Sequence, residues 1–288
     1  MAPSVVRMTT LITGATGHLG ALTVDHLLRR VPASDLAVSV RDPAKAAALA
    51  ARGVEVRRGD FDHPESLDFV GVDRLLLIST DGPDEARIAK QANAVRVAQE
   101  AGVGHLVYSS VVDAPTSPLG LAAVHRATEE LVRASGIPFT FLRNGMYHEN
   151  YTLQLPGALE RGVLVGSAGD GRNASASRDD LALAAAVVLT TDGHENTAYE
   201  LTGPSAWTFA ELADLASRKT GKPLAYRNVT DEEYVAGLTA AGFPAFVAEI
   251  FADIHAGIRT GVLAEVRPDL EKLIGRPATP VADAVSAS

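Results

Sequence analysis

A chain of 288 residues, 47% of them hydrophobic, is long enough to bury one large core or two unequal ones. A formal net charge of -9, without any run of basic residues, removes the sequence-independent attraction to phosphate backbones and anionic membrane surfaces, so neither nucleic acid nor a membrane is an expected partner. With no cysteine, disulfides, thiol catalysis and thiolate metal ligation are excluded, and with no apolar stretch of transmembrane length and no apolar secretory segment in Met1–Arg7, a cytoplasmic location is expected.

After a leader Ala2-Pro3-Ser4 that reads as a frayed terminus, the pattern alternates short β-branched runs with longer helical ones. Strands are expected at Thr10–Thr13, Leu36–Val40, Val54–Arg57, Arg74–Ser79, His105–Ser109 and Phe139–Arg143. Helices are expected between them, at Leu19–Arg30, Pro43–Arg52, Asp84–Ala101 and His125–Ser135. Strands apolar on both faces and separated by helices indicate an α/β fold with a doubly wound parallel sheet covered on both sides. Gly102 and Gly136 read as helix exits.

Beyond Asn144 the rhythm changes. Leu153–Arg161, Asp179–Thr190 and Phe209–Thr220 read as helices, Tyr199–Thr202 and Leu224–Asn228 as strands, and Asp231 through Ile274 as a helix-rich end. This division suggests a nucleotide-binding domain over 8–150 and a smaller substrate-side domain over 151–288, with some strands returning to the main sheet. The Ala/Ser-rich tail Thr279–Ser288 is expected to fray. Phe243–Gly261, with Phe246, Ile250, Phe251, Ile254 and Ile258, fits either a buried lid helix or a dimer surface, so monomer and homodimer both stay open.

The chemistry is concentrated first in Thr13-Gly14-Ala15-Thr16-Gly17-His18-Leu19-Gly20, entered directly from the first strand. Gly14 allows a tight turn, Gly17 lets the backbone approach a pyrophosphate, and Gly20 lets the new helix pack close to its strand. The amides at that helix start then face an anion, which the helix dipole also favours. Past the second strand, Arg41 is placed to meet the 2′-phosphate of NADP, and Lys45 can add charge from the next helix start. Asp42 leaves NAD use open, so NADP(H) is preferred and NAD(H) possible. Asp60 can hydrogen-bond an adenine amino group with Phe61 beside the ring, or simply cap the turn before Pro64. Ser79, Thr80 and Asp81 close the fourth strand, where ligands of open sheets lie.

Taken with Thr116-Ser117-Pro118-Leu119-Gly120-Leu121 and Leu142-Arg143-Asn144-Gly145-x-Tyr147-x-Glu149-Asn150-Tyr151, this loop resembles the NmrA-like atypical short-chain dehydrogenases. Within them the chain is most similar to the type 2 NAD(P)H:quinone oxidoreductases. The likeness continues through Gly169-Asp170-Gly171, Ala174-Ser175-Ala176-x-Arg178, Tyr199-Glu200-Leu201 and Leu273-Ile274-Gly275. It implies a Rossmann-type sheet with a smaller helix-rich C-terminal domain, NADPH or NADH as cofactor, and quinone reduction without flavin or metal. It also implies cofactor contacts at Gly14 through Leu19, at Arg41 and at Ser79, Thr80 and Asp81, with Asn144, Gly145, Tyr147 and Glu149 in the nicotinamide-side loop. Arg178 is a candidate contact too, or one half of a helix-start ion pair with Asp179. Two positions depart from the family pattern: Met146 stands where tryptophan is usual, and His148, expected exposed, where serine or threonine is usual.

Short-chain dehydrogenases ordinarily use Tyr-x-x-x-Lys, in which the tyrosine protonates a developing alkoxide. None of the six tyrosines here has a lysine four residues on; the corresponding helix carries Leu121 and His125 instead. A ketone, which yields a basic alkoxide, suffers most from that lack, whereas a quinone yields a delocalised phenolate that takes its proton from water. The expected reaction is therefore hydride transfer to a quinone or similar conjugated acceptor. Asn144 and Tyr147 are candidate hydrogen-bond donors to an acceptor oxygen or to the carboxamide, and His125 a candidate proton relay. Tyr147 reads equally as a packing residue, and His125 as a helix cap or stacking residue. A non-catalytic NADP(H)-binding redox sensor, or a reductase of enones, iminium ions or dyes, stays open beside it. No His-Glu-x-x-His, Gly-x-Ser-x-Gly or Walker-type motif offers a hydrolytic alternative.

Overall fold

The computed structural model describes residues 8–285. The leader Ala2-Pro3-Ser4 and the last three tail residues lie outside the described residues. In chain order the strands are β1 (Thr10–Thr13), β2 (Leu36–Val40), β3 (Glu55–Arg58), β4 (Arg74–Ile78), β5 (His105–Val111), β6 (Phe139–Asn144), β7 (Val163–Gly166), β8 (Thr197–Leu201) and β9 (Ala225–Asn228). The helices are α1 (His18–Leu27), α2 (Ala47–Ala51), α3 (Asp84–Glu100), α4 (Gly120–Ser135), α5 (Glu149–Thr152), α6 (Leu155–Arg161), α7 (Arg178–Thr190), α8 (Phe209–Thr220), α9 (Asp231–Ala240), α10 (Ala245–Arg259), α11 (Asp269–Ile274) and α12 (Val281–Ala284).

Two compact units emerge, and the chain passes back and forth between them. The first comprises the chain up to Ser110 with Val124–Arg143 and Leu181–Tyr199; the second comprises Val111–Ala123, Asn144–Asp180 and the chain from Glu200. A seven-stranded sheet runs in the order β3-β2-β1-β4-β5-β6-β8. Its β2–β3, β1–β2, β1–β4 and β4–β5 pairs are parallel. Leu11, Leu75, Leu77, Leu106 and Tyr108 pack with Val95 and Ala98 of α3 and Val132 of α4, while the alternate residues Ile12, Leu76 and Val107 are equally buried. Burial of both sets of side chains is what makes these strands read as continuous apolar runs. The result is a Rossmann-type doubly wound sheet with flanking helices.

In the second unit β7 and β9 form a two-stranded parallel sheet. An aromatic cluster fills its core: Tyr151 and Phe209 meet edge to face at 5.5 Å, Trp207 lies 5.2 Å from Tyr151, and His255 lies 4.8 Å from Phe209. Reciprocal capping boxes start α8 (Thr208 with Glu211) and α9 (Thr230 with Glu233).

Three local differences from the sequence expectations have physical causes. α4 begins at Gly120 rather than His125, because the Gly120 N–H donates to Asp253 Oδ2 at 2.8 Å, a cap supplied from far along the chain. β7 was not expected; four residues after the left-handed exit at Gly162 carry too little periodicity to declare a strand without its partner β9. The tail from Thr279 to Val285 is ordered. Val281 and Val285 join the apolar core, Lys219 donates to the Ala282 and Val285 carbonyls, and Thr279 N–H donates to Asp180 at 2.6 Å.

Inside the first unit, Glu129 of α4 is fully buried and ties three elements together. Its carboxylate accepts from Ser110 Oγ at 2.7 Å, from Arg143 Nε at 2.9 Å and Nη2 at 2.7 Å, and from Arg133 Nη2 at 3.1 Å. Glu129→Ala removes the counter-charge of Arg143, whose side chain is only 12% exposed. The expected cost is about 3–5 kcal/mol, measured by urea denaturation; a loss below about 1 kcal/mol would mean that the pair contributes no more than a surface ion pair.

Candidate functional site

β1 runs straight into Gly14, whose φ of +63° lies in the left-handed region that glycine adopts without strain. The Gly17 N–H donates back to the Gly14 carbonyl at 2.9 Å and closes the turn. α1 then starts with no side-chain cap and no acidic residue in its first turn, so the amides at its start are bare. A Cβ built on Gly20 would lie 2.3 Å from the Gly14 oxygen and 2.8 Å from Ala15 Cα. Helix and loop are therefore closer than any side chain allows.

The strand order reverses at β1, which has β2 on one side and β4 on the other. Thr13 fixes this point: its hydroxyl donates to the Leu76 carbonyl at 3.1 Å and accepts from the Ile78 N–H at 3.0 Å. Beyond it opens a cleft of about 560 Å³. Of the residues expected to contact a dinucleotide, Gly14, Thr16, Gly17, His18, Leu19, Gly20, Arg41, Asp60, Phe61, Ser79, Thr80 and Asp81 line this cleft. Ala15 is buried behind the loop.

Lys45 does not line it. It is exposed in a 3-10 turn, Pro43–Ala46, and Lys90 of α3 is the lysine in the lining, 2.9 Å from Asp62. No local pattern marks Lys90, since it enters from a helix remote in sequence from the glycine loop. Gly59 also lines the cleft, and its position is legible: a Cβ there would meet Ser39 Oγ at 2.3 Å, so β2 and β3 end in close approach.

The cleft fits a dinucleotide by its donor set. The glycine loop and α1 offer amides where no side chain intrudes. Arg41 stands exposed at the end of β2, while Asp42 spends its carboxylate on the Ala44 N–H at 3.0 Å. Thr80 Oγ1 is buried with no hydrogen-bond partner and sits in the lining. Arg87 pins the neighbouring backbone, with Nε on the Thr80 carbonyl at 2.7 Å and Nη2 on Ser79 Oγ at 3.1 Å. Among the described residues no group of three or more His, Asp or Glu is placed to hold a metal ion, and no helix is long and apolar enough to cross a membrane.

Asn144, Gly145, Tyr147, Glu149 and Arg178 belong to the second unit. Asn144 is buried, and its Oδ1 has no hydrogen-bond partner. The Gly145 N–H donates to the Leu201 carbonyl at 2.8 Å. The Arg178 guanidinium lies over the Tyr147 ring, 4.7 Å from its centroid, and the Arg178 N–H donates to Glu149 Oε1 at 3.2 Å. His148 is not the exposed loop residue expected. It is 1% exposed, and Ser175 and Thr279 hold both ring nitrogens, at 2.8 and 3.0 Å. A carbonyl only accepts, so Nε2 carries the hydrogen, and Ser175 donates to Nδ1 while accepting from Trp207 Nε1 at 2.9 Å. Burial holds the His148 pKa below the ordinary imidazole value.

His125 lies in the first unit with Nδ1 2.9 Å from the Tyr108 hydroxyl. Burial pushes its pKa down to about 3, while burial pushes Tyr108 up to about 12. Both groups are uncharged at neutral pH. An unfolded chain takes up a proton on this ring below its ordinary value of 6.5, whereas the folded protein resists until about 3. Stability therefore falls with acidification across that window, by about 1.4 kcal/mol per pH unit for each such ring. His255, pushed to about 4 by burial, adds to the same slope. His125→Gln is expected to flatten the decline in urea-derived stability between about pH 6 and about pH 5; an unchanged slope would show that the folded ring titrates normally.

A profile of the NmrA-like family matches residues 7–256. Over 277 residues the chain is 45% identical to quinone oxidoreductase 2 of Escherichia coli (strain K12), an alignment covering 96% of each chain. It is 33% identical over 276 residues to the NAD(P)H azoreductase of Xenophilus azovorans, covering 95% of each. The crystal structure of the Citrobacter sp. triphenylmethane reductase complexed with NADP(H) matches with a TM-score of 0.93 at 44% identity, covering 96% of this chain and 99% of that one. The glycine loop at a strand-order reversal, the Asn144–Tyr151 loop and this likeness along nearly the whole length have one explanation: the chain belongs to the NmrA-like family.

Proposed function

We propose that the chain is a reductase of quinones or comparable conjugated acceptors, with NADPH as its preferred donor, NADH a weaker one, and no flavin. The observation that carries this reading is the bare start of α1, held against the loop by Gly20 where no Cβ fits, because it offers amides to a pyrophosphate at the strand-order reversal. Arg41 then meets a 2′-phosphate, since Asp42 is turned to its own helix cap. Ser79, Thr80 and Asp81 border the ribose and nicotinamide, with Thr80 Oγ1 gaining the partner it lacks. When bound, the reduced dinucleotide supplies a hydride from its nicotinamide C4.

The chain's own residues orient the reactants and supply no tuned acid. Asn144 and Tyr147 are the donors we assign to the acceptor oxygen or the carboxamide. His125, which stands where the related dehydrogenases keep their lysine, and its partner Tyr108 on β5 both stay neutral and far from a pKa near 7. Conjugated acceptors tolerate this because the negative charge they gain is delocalised or, in a cationic dye, cancelled by the hydride. The relatives agree in kind: a quinone, an azo and a triphenylmethane substrate are all conjugated.

The test follows NADPH absorbance with a panel of quinones, triphenylmethane dyes and simple ketones. Turnover of the first two without the third is expected; no turnover, together with unequal affinity for oxidised and reduced dinucleotide, would replace the enzyme by a redox sensor. Arg41→Ala is expected to raise the KM for NADPH by roughly tenfold to a hundredfold, the worth of charge-assisted hydrogen bonds, and to leave NADH unaffected. Equal losses with both donors would mean that Arg41 reads something other than the 2′ position.

A further inference from the structure

The backbone of the Asn144–Glu149 loop is fixed on both sides of Tyr147. The Ala176 N–H donates to the Met146 carbonyl at 2.8 Å, and the His148 N–H donates to the Ala176 carbonyl at 2.9 Å. Tyr147 and Ala176 thereby form a parallel bridge. These bonds settle where the Tyr147 Cβ leaves the chain; the setting of the ring depends further on what packs against it.

A second set of contacts bears on the ring itself. The guanidinium of Arg178 covers one face of the Tyr147 ring at 4.7 Å. Arg178 is the first residue of α7, and the Glu149 carboxylate fixes its backbone, with Oε1 and Oε2 at 3.2 and 3.3 Å from the N–H. Glu149 lies two residues after Tyr147 in the same loop. The clamp is therefore reciprocal: the loop holds the start of the helix, and the first helical side chain holds the loop's ring. A planar guanidinium suits this place better than an ammonium, because it stacks flat on the ring and its charge strengthens the phenol as a hydrogen-bond donor.

We infer that Arg178 is a positioning residue which, anchored by Glu149, sets the direction of the Tyr147 hydroxyl toward the acceptor, and is not a dinucleotide contact. The inference rests on the reading above, in which Tyr147 donates to the acceptor or the carboxamide.

The experiment uses the full-length protein, NADPH and a quinone that the wild-type protein reduces. Arg178→Ala is expected to lower kcat by roughly threefold to thirtyfold, the span of a cation–π contact and a displaced donor. The dissociation constant for NADPH stays within about twofold, and Arg178→Lys restores part of the lost kcat. Adding Arg178→Ala to Tyr147→Ala produces no further loss. An NADPH dissociation constant raised more than about tenfold in both backgrounds, or losses that multiply in the double variant, overturns the inference. Fluorine NMR of fluorotyrosine-labelled protein, with the Tyr147 line assigned by its loss in Tyr147→Phe, decides the point without turnover. In Arg178→Ala that line is expected to shift as ring motion quickens; an unmoved line overturns the inference. Should the wild-type protein reduce no acceptor at all, the proposed function falls and this spectrum still judges Arg178.

Discussion

The space between Gly14 and Gly20 governs the first unit. With the Gly14 oxygen 2.3 Å from where a Cβ of Gly20 would stand, the start of α1 is pressed onto the turn leaving β1. Its unpaired amides consequently open toward the cleft and not into protein. The Thr13 hydroxyl keeps that geometry registered to β4 by bonding Leu76 and Ile78, so the loop, Ser79, Thr80 and the strand-order reversal share one frame. Arg87 then holds the Ser79 hydroxyl and the Thr80 carbonyl from α3. An anion site built this way needs few charged side chains. That is consistent with a formal net charge of -9 and with Arg41 and Lys90 as the cationic side chains of the cleft's lining.

Much of this frame is legible in the sequence, because its causes are local. β1, β2 and α8 fall at the residues expected, since buried-strand runs and an amphipathic helix state themselves in a few consecutive positions. The glycines, Arg41 and Ser79–Asp81 gather in one cleft for the same reason: each ends or follows a strand. What stays hidden depends on partners distant in the chain. The start of α4 waits on Asp253, β7 on β9, and the ordered tail on Asp180, His148 and Lys219. Glu129 gives no sign in the sequence that it is buried among Ser110, Arg143 and Arg133. The Thr208 and Thr230 capping boxes, by contrast, are local, each a Thr-x-x-Glu spacing within one turn.

His148 and His125 show how burial decides the chemistry of a residue type. Each imidazole is enclosed, each is held below its ordinary pKa, and each has a hydroxyl beside it. His148 joins a directed chain, Trp207 to Ser175 to His148 to the Thr279 carbonyl, in which every donor finds one acceptor. Such a chain rigidifies a loop and offers no proton to solvent. His125 and Tyr108 likewise settle as a neutral pair inside the first unit. These two histidines are thus held uncharged by burial, although their residue type suggests acid–base work.

The same energetics narrow the acceptor. Hydride addition to any carbonyl places negative charge on oxygen, and a protein answers either with a proton source or by accepting substrates that carry the charge themselves. An acid effective at neutral pH needs a pKa near 7. Burial moves His125 down to about 3 and Tyr108 up to about 12, both away from that value. The remaining route lies in the substrate: quinones and azo compounds delocalise the negative charge they gain, and a triphenylmethane cation is neutralised by the hydride and needs no proton. Orientation then becomes the chain's main contribution to rate. In that setting the Tyr147 ring, held by a guanidinium that Glu149 anchors, contributes by orientation and not by acidity.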